Sequence, residues 1–485
     1  MCPGDLPAGW NGVWFMYQAV MVPLVRIFSL LGEGESRTQM MSWTGWIALI
    51  RRLATTRPGS FSNEEVLEDK EKARKKRAQQ ATLPGINHVA MNEYDTYMAQ
   101  SSSDRFTPRI TPFTVHIADD DLQHLDALLR MTPIAQPTYE TSLPGGDRSF
   151  GMRQDWLKQT VREWKNTFDW RKHEAYMNTF DHFHMNIEDD LGKFHIHYVA
   201  MYSKRPDAVP LLLLHGWPGS FLEFLPMLDK LRNKYNPDDL PYHLVVPSLP
   251  GYAFSSPPPL DRDFVIEDVA RLMNRLMLNL GYGAGYTVQG GDVGSKVARV
   301  MAVKHEECKA IHINFCIMED EPEQLGDDVS EAEHKGLDRA REFLRTGSSY
   351  AIQHATKPAT ISLVLSSNPV ALLAWIGEKF LAWTEEDPPT SLILESFYTP
   401  GNNGNPHNMS KYKIPDLKPF GYSYYPYELY PVPKSWVATT GNLTFFRAHD
   451  NGGHFAAIEQ TETFLDDLEE FVQESRGAAG FAHSD

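Results

Sequence analysis

The run Val288-Gln-Gly-Gly-Asp-Val-Gly-Ser295 sets a carboxylate, Asp292, among small residues where an apolar segment gives way to a helical pattern. A turn of the form small-x-nucleophile-x-small between strand and helix exposes its central side chain for attack. That position usually holds serine. An aspartate there makes an ester with an alkyl carbon, and water must then release it. This suits opening a strained or activated carbon centre better than cleaving an ester. A phosphate-cradling glycine turn is the competing use. Asp292 would repel an anion, and the lysine of a phosphate-binding loop is missing.

Three further groups complete a chemical set. Among the 18 histidines, His454 alone lies in a glycine loop opening a C-terminal helix, in Asn451-Gly-Gly-His-Phe-Ala-Ala457, and is the candidate base. Glu428, ahead of Tyr430-Pro-Val-Pro433, is the candidate acid that orients it; Asp450 is close in sequence, and Glu319 or Asp320 is the fallback. His215-Gly-Trp-Pro-Gly-Ser220 follows the apolar Leu211–Leu214, so the amide of Trp217 can join that of Val293 in an oxyanion hole. Opening a strained ring also needs a proton donor, and a tyrosine, with a pKa of about 10, keeps its proton at neutral pH. Tyr350 and Tyr398 are the candidates. The order nucleophile, acid, histidine is that of α/β-hydrolases.

The scaffold for these groups is legible from Pro210 onward. Leu211–Leu214, Leu244–Pro247, Tyr286–Gln289 and Lys309–Asn314 read as buried strands separated by turns and helices, which predicts a mostly parallel α/β sheet. Trp436–Thr440 and Leu443–Phe446 read as later strands. The alternation fails over 319–419, where helices at Ser330–Thr346 and Pro369–Trp383 suggest a lid over the carboxyl end of the sheet. Residues 106–205 read as a separate, mainly helical wrapping domain, with strands at Pro112–Ile117 and Phe194–Val199 and helices at Trp156–Trp164 and Trp170–Phe183. The core then comprises 206–318 and 420–475, with a tail at 476–485 and an extension or linker at 1–105.

Composition narrows the partners. A net charge of −17 disfavours nucleic acid, whose phosphates call for a basic surface. Three cysteines, Cys2, Cys308 and Cys316, make no disulfide framework and point to a reducing compartment, the cytoplasm. No Cys/His cluster has zinc spacing, so neither metal nor cofactor is expected. Trp10–Val25 is uncharged and apolar-rich but is cut by Pro23 and ended by Arg26. Spanning a membrane takes about 20 apolar residues. Anchoring at the endoplasmic reticulum through this stretch is therefore the less favoured alternative. A homodimer stays open.

Taken together, the motifs resemble the microsomal-type epoxide hydrolases, especially the fungal soluble members, from about Pro112 to about Val472. The likeness rests on His215–Ser220, Gly290–Ser295, Leu372–Lys379, Lys418–Ser423, Pro431–Trp436 and Gly452–Ala457, with Phe168-Asp-Trp-Arg171 in the N-terminal part. It implies an α/β-hydrolase core that turns a small-molecule epoxide and water into a vicinal diol, as in detoxification or aromatic hydrocarbon catabolism. It also implies Asp292 as nucleophile, His454 as base, Glu428 as charge-relay acid, and Tyr350 and Tyr398 as proton donors. Before Tyr398 the chain is roughly one helix shorter than the family pattern. Two other readings use the same scaffold. A haloalkane dehalogenase would want an N–H side-chain donor where Val293 stands. A non-catalytic binding protein would suit a shortened lid.

Overall fold

Among the described residues, nine strands form one sheet in the order β1-β2-β3-β5-β4-β6-β7-β8-β9. They are β1 (Ile110–Phe113), β2 (Asp181–Asp189), β3 (Gly192–Met201), β4 (Val209–Leu214), β5 (Tyr242–Pro247), β6 (Tyr286–Gly290), β7 (Cys308–Ile313), β8 (Phe420–Tyr424) and β9 (Leu443–Ala448). The computed structural model describes residues 110–146, 148–318, 329–385 and 405–481. From β5 through β9 every pairing is parallel, whereas β1, β2 and β3 join antiparallel, β3 against β5. The central strand β4, Val-Pro-Leu-Leu-Leu-Leu, is buried at every position, as a strand covered on both faces must be.

Among the described residues, thirteen α-helices accompany the sheet. Residues 106–205 contribute α1 (Asp119–Met131), α2 (Gln154–Asn166) and α3 (Trp170–Met177), and the core contributes α4 (Leu225–Lys234), α5 (Ile266–Asn279) and α6 (Asp292–Lys304). Between β7 and β8 come α7 (Glu331–Glu342), α8 (Ser349–Thr356), α9 (Pro358–Ser366) and α10 (Pro369–Trp383). After β8 come α11 (Lys434–Ala438), α12 (Ala456–Glu459) and α13 (Thr461–Ser475). Helix α7 begins with a reciprocal capping box between Ser330 and Glu333. Asn368 caps α10 by accepting from the amides of Val370 and Ala371. The Asn368 amide also reaches Thr132 Oγ1 at 2.8 Å, tying α10 to the end of α1.

Several elements differ from the sequence expectations. Residues 110–205 carry more strand than expected: beside helices α1, α2 and α3 they supply three strands to the common sheet. The helix expected over Trp170–Phe183 stops at Met177, where the Asn178 side chain bonds both backbone groups of Val115. Asp181 onward then pairs with β3 along its whole length, and that long hairpin outweighs local helical preference. Trp436–Thr440 lies in and just after helix α11 rather than in a strand. Pro431 and Pro433 lead into it, and proline cannot donate to a sheet ladder. Strand β8 was not anticipated because Pro419, Gly421 and Ser423 break the apolar run. Gly421 is required there, since a Cβ would sit 2.7 Å from the Phe471 ring.

Candidate active site

Asp292 opens α6 directly after β6 and carries a φ of 39°. A non-glycine residue in the left-handed region costs about 1–3 kcal/mol and persists only where its surroundings fix it. Here they do. Gly294 lies so close to the Leu214 carbonyl that any side chain would overlap it. Ser295 Oγ donates to the Asp292 carbonyl at 2.6 Å. That hydroxyl also meets His407 Nε2 at 3.1 Å, and Arg299 Nε donates to His407 Nδ1 at 2.8 Å. Since Nδ1 accepts, Nε2 carries the ring proton and donates to Ser295. The fully buried Arg299 also bonds the Thr440 carbonyl and hydroxyl, so β9's approach loop is stapled beneath the elbow.

The two oxygens of Asp292 have different surroundings. Oδ1 accepts from the Trp217 amide at 2.7 Å, and Oδ2 lies 3.5 Å from His454 Nε2. The carboxylate retains 21% exposure, so it can meet a small molecule. Val293 follows in the first helical turn, where a backbone N–H has no carbonyl one turn earlier to bond.

His454 is held from behind. Its Nδ1 lies 2.6 Å from Glu428 Oε1, and the Leu429 amide donates to the same oxygen at 2.6 Å. Its backbone N–H donates to the Trp383 carbonyl at 2.9 Å. The rings of Phe315 and Trp383 flank the imidazole edge-on, at 5.4 and 5.0 Å between centroids. Gly452, at φ 100°, gives the loop its turn. Glu428 itself is 1% exposed, and its carbonyl accepts from Arg339 Nε of α7 at 2.7 Å. Asp450 is exposed at the start of the loop; the carboxylate on His454 is that of Glu428.

Charge is coupled across this group. Burial disfavours the imidazolium, but the Glu428 and Asp292 carboxylates outweigh it and hold His454 well above the ordinary imidazole range. Burial likewise opposes the Asp292 carboxylate. Its bond and charge contact with His454, then the Lys296 charge and the Trp217 amide, bring the carboxyl below its usual value.

Tyr350, near the start of α8, stacks on the Trp217 indole at 4.8 Å between centroids and 20° between planes. Trp383 and His354 pack against its other sides, and Lys379 Nζ lies 5.0 Å from its ring centre. Burial, with the Asp292 charge adding to it, holds its hydroxyl well above the usual phenol value, so it is a donor at neutral pH. Tyr398, Glu319 and Asp320 lie outside the described residues. Among the described residues, no group of His, Cys, Asp and Glu is arranged to hold a metal ion.

Sequence reasoning did not find Trp383, Arg339, Arg299 or His407. The first two reach His454 and Glu428 through backbone groups, and the last two join across 108 residues of chain. Contacts of these kinds leave no spacing to read. One signal was available and unused: Glu223, a charge inside Phe221-Leu-Glu-Phe224, whose three apolar members are all buried.

Comparison with known proteins agrees with this architecture. The family profile described as Epoxide hydrolase N terminus matches residues 110–224, and that of the alpha/beta hydrolase fold matches 209–389. A putative epoxide hydrolase of Dothistroma septosporum is 39% identical over 389 residues, covering 76% of this chain and 91% of that protein. Epoxide hydrolase 1 of Sus scrofa is 29% identical over 75% of this chain and 88% of its own length. The solved Aspergillus niger epoxide hydrolase is 46% identical and superposes with a TM-score of 0.71, over 76% of this chain and 97% of its own. The chain thus belongs to the epoxide hydrolase family, on the α/β-hydrolase fold, and its activity is the hydrolysis of epoxides.

Proposed function

We propose that hydrolysis runs through an ester on Asp292. The observation that carries this reading is the unequal setting of its two oxygens. Oδ1 accepts from the Trp217 amide, whereas Oδ2, in its longer 3.5 Å contact with His454 Nε2, is the oxygen that attacks an epoxide carbon. As the carbon–oxygen bond of the ring breaks, Tyr350 donates a proton to the departing oxygen, and Tyr398 is the proposed second donor. Oδ2 becomes the ester oxygen and Oδ1 the carbonyl oxygen, already held by the Trp217 amide, with the Val293 amide as the proposed second donor.

Esterification then alters His454. The Asp292 charge that favoured the imidazolium disappears, so the ring gives up its proton, which restores the Tyr350 hydroxyl, and His454 can act as a base. Neutral His454 takes a proton from water, the water oxygen bonds to the ester carbon, and the electron pair moves to Oδ1. Amide donors at such a position are worth about 10²–10³ in rate. Collapse breaks the bond to Oδ2, which leaves with the diol and takes the proton from His454. Glu428 holds the ring in register and balances its charge. The new carboxyl oxygen comes from water, and its proton passes to His454, which restores the starting carboxylate and imidazolium.

A single turnover in heavy-oxygen water tests this directly. Mass spectrometry of the Asp292 peptide is expected to find label in the carboxylate and none in the first diol released. Label in the diol alone would mean direct attack of water on the epoxide.

The substrate is a small-molecule epoxide. We place the protein in the cytoplasm, in keeping with the two buried free thiols Cys308 and Cys316. Among the described residues no single helix is long and apolar enough to cross a membrane. Trp10–Val25, and with it the alternative of an anchor, lies outside the described residues. A homodimer remains a proposal to be read from solution mass.

A further inference from the structure

Glu223 has no part in the steps above, yet it lines the same cavity as Asp292 and His454. It sits in the short turn Phe221–Phe224. Its carboxyl packs on Gly219, where any side chain would run into Oε1. The cavity has room for about one water molecule, and its other side chains with polar atoms are Trp217, Gln289 and Asn314. Gln289 is fully buried on β6. Its amide nitrogen donates to Asn314 Oδ1 at 2.9 Å, while its Oε1 has no protein partner. An unpaired buried acceptor costs about 1–3 kcal/mol, so a donor is expected to fill it.

We infer that this cavity seats the water that hydrolyses the Asp292 ester, with Glu223 and Gln289 as its positioning residues. The reasoning is stoichiometric and rests on the covalent reading above. A water has two protons and two lone pairs. One proton goes to His454 Nε2 and the other to Gln289 Oε1. One lone pair attacks the ester carbon. The second lone pair needs a donor, and Glu223 is the acid available. Burial pushes its carboxyl up to about 8; the His454 charge opposes this and the Asp292 charge adds to it. Glu223 therefore keeps its proton at neutral pH and donates.

The test uses steady-state kinetics and intact mass on the full chain with styrene oxide. Slowing only the second step lowers kcat and KM together and leaves kcat/KM in place, because that ratio reports steps up to the ester. Glu223→Leu is expected to lower both by about tenfold or more, as loss of positioning does, with the ester-bearing enzyme accumulating. Glu223→Gln, which can still donate, should restore most of the rate. Gln289→Leu should move in the same direction as Glu223→Leu and carries the test if that variant does not fold. Unchanged kinetics, or a fall in kcat/KM without accumulated ester, overturns the inference. Wild-type enzyme that fails to label Asp292 overturns the covalent reading, and this inference with it.

Discussion

The site has two halves built by different means. The sheet-borne half holds Asp292, Trp217, His454 and Glu428 by hydrogen bonds of 2.6–2.7 Å and by a backbone approach that only glycine permits at Gly294. The lid-borne half holds Tyr350 by ring faces, against Trp217, Trp383 and His354. Hydrogen bonds fix atoms, and ring stacking fixes planes. The first suits the nucleophile proposed for Asp292, which must meet a carbon within a few tenths of an ångström. The second suits the donor proposed for Tyr350, which must follow an oxygen as its bond breaks. Trp217 joins the halves: its amide serves Asp292 while its indole serves Tyr350.

Substitutions should separate the halves by size and by the step affected. The largest loss is expected for Asp292→Asn, which removes the attacking charge. Turnover should fall by about 10⁴-fold or more, with epoxide binding retained in equilibrium dialysis. Surviving turnover would move the chemistry off the elbow. Next comes Glu428→Gln, with kcat lowered by about 10²–10⁴-fold. Because Glu428 raises the His454 pKa, its removal should also move the acid limb of the pH–kcat profile to lower pH. A limb that moved upward would contradict the relay. Tyr350→Phe, in the lid half, should cost about 10²-fold. Its effect should fall on kcat/KM, with no ester accumulating, since ring opening is the step it assists.

The sheet half was readable from sequence because its parts are local. A turn with a carboxylate among small residues, a glycine loop with one histidine and an apolar strand ending in His215-Gly-Trp each occupy a few consecutive positions. The structure brings Asp292, Trp217, His454 and Glu428 together as those segments suggested. The lid half was less readable, because any of 20 tyrosines can stack and no spacing selects Tyr350 from sequence alone. Resemblance to a family supplied it. Glu223 and Gln289 escaped for another reason: their significance depends on a cavity, and cavities have no linear signature. The mistaken strand at Trp436–Thr440 shows the same limit, with flanking prolines deciding what residue composition could not.

The smallest expected effect concerns stability, and again it divides the halves. In the sheet half, burial lowers the pKa of His197 well below normal and brings His215 and His312 to about 4. In the lid, His354 also falls to about 4. Groups neutral when folded but able to protonate when unfolded lose stability as pH drops below the unfolded value of about 6.5. Each costs up to about 1.4 kcal/mol per pH unit in that window, down to its folded pKa. His454, raised by its partners, has the opposite sign: its contribution is full below the unfolded value and is lost as pH rises through the folded one. His243 of β5 also falls to about 4, and His182 and His184 of β2 are also lowered. Together these rings outnumber His454 and the raised Glu223, which shares its sign, and should win. Urea midpoints are expected to fall between pH 7 and pH 5, and His354→Asn should remove only a minor share of that fall. A midpoint that rose over this range would show these rings to be charged in the folded protein.

The central claim is that Asp292 becomes esterified and that His454 is needed only to release it. The direct measurement is the intact mass of the His454→Ala variant after mixing with styrene oxide, followed by mapping of the modified peptide. The account predicts a mass gain equal to one epoxide, on Asp292, formed rapidly and persisting. Unmodified protein that still forms diol, or an adduct on another residue, would contradict it.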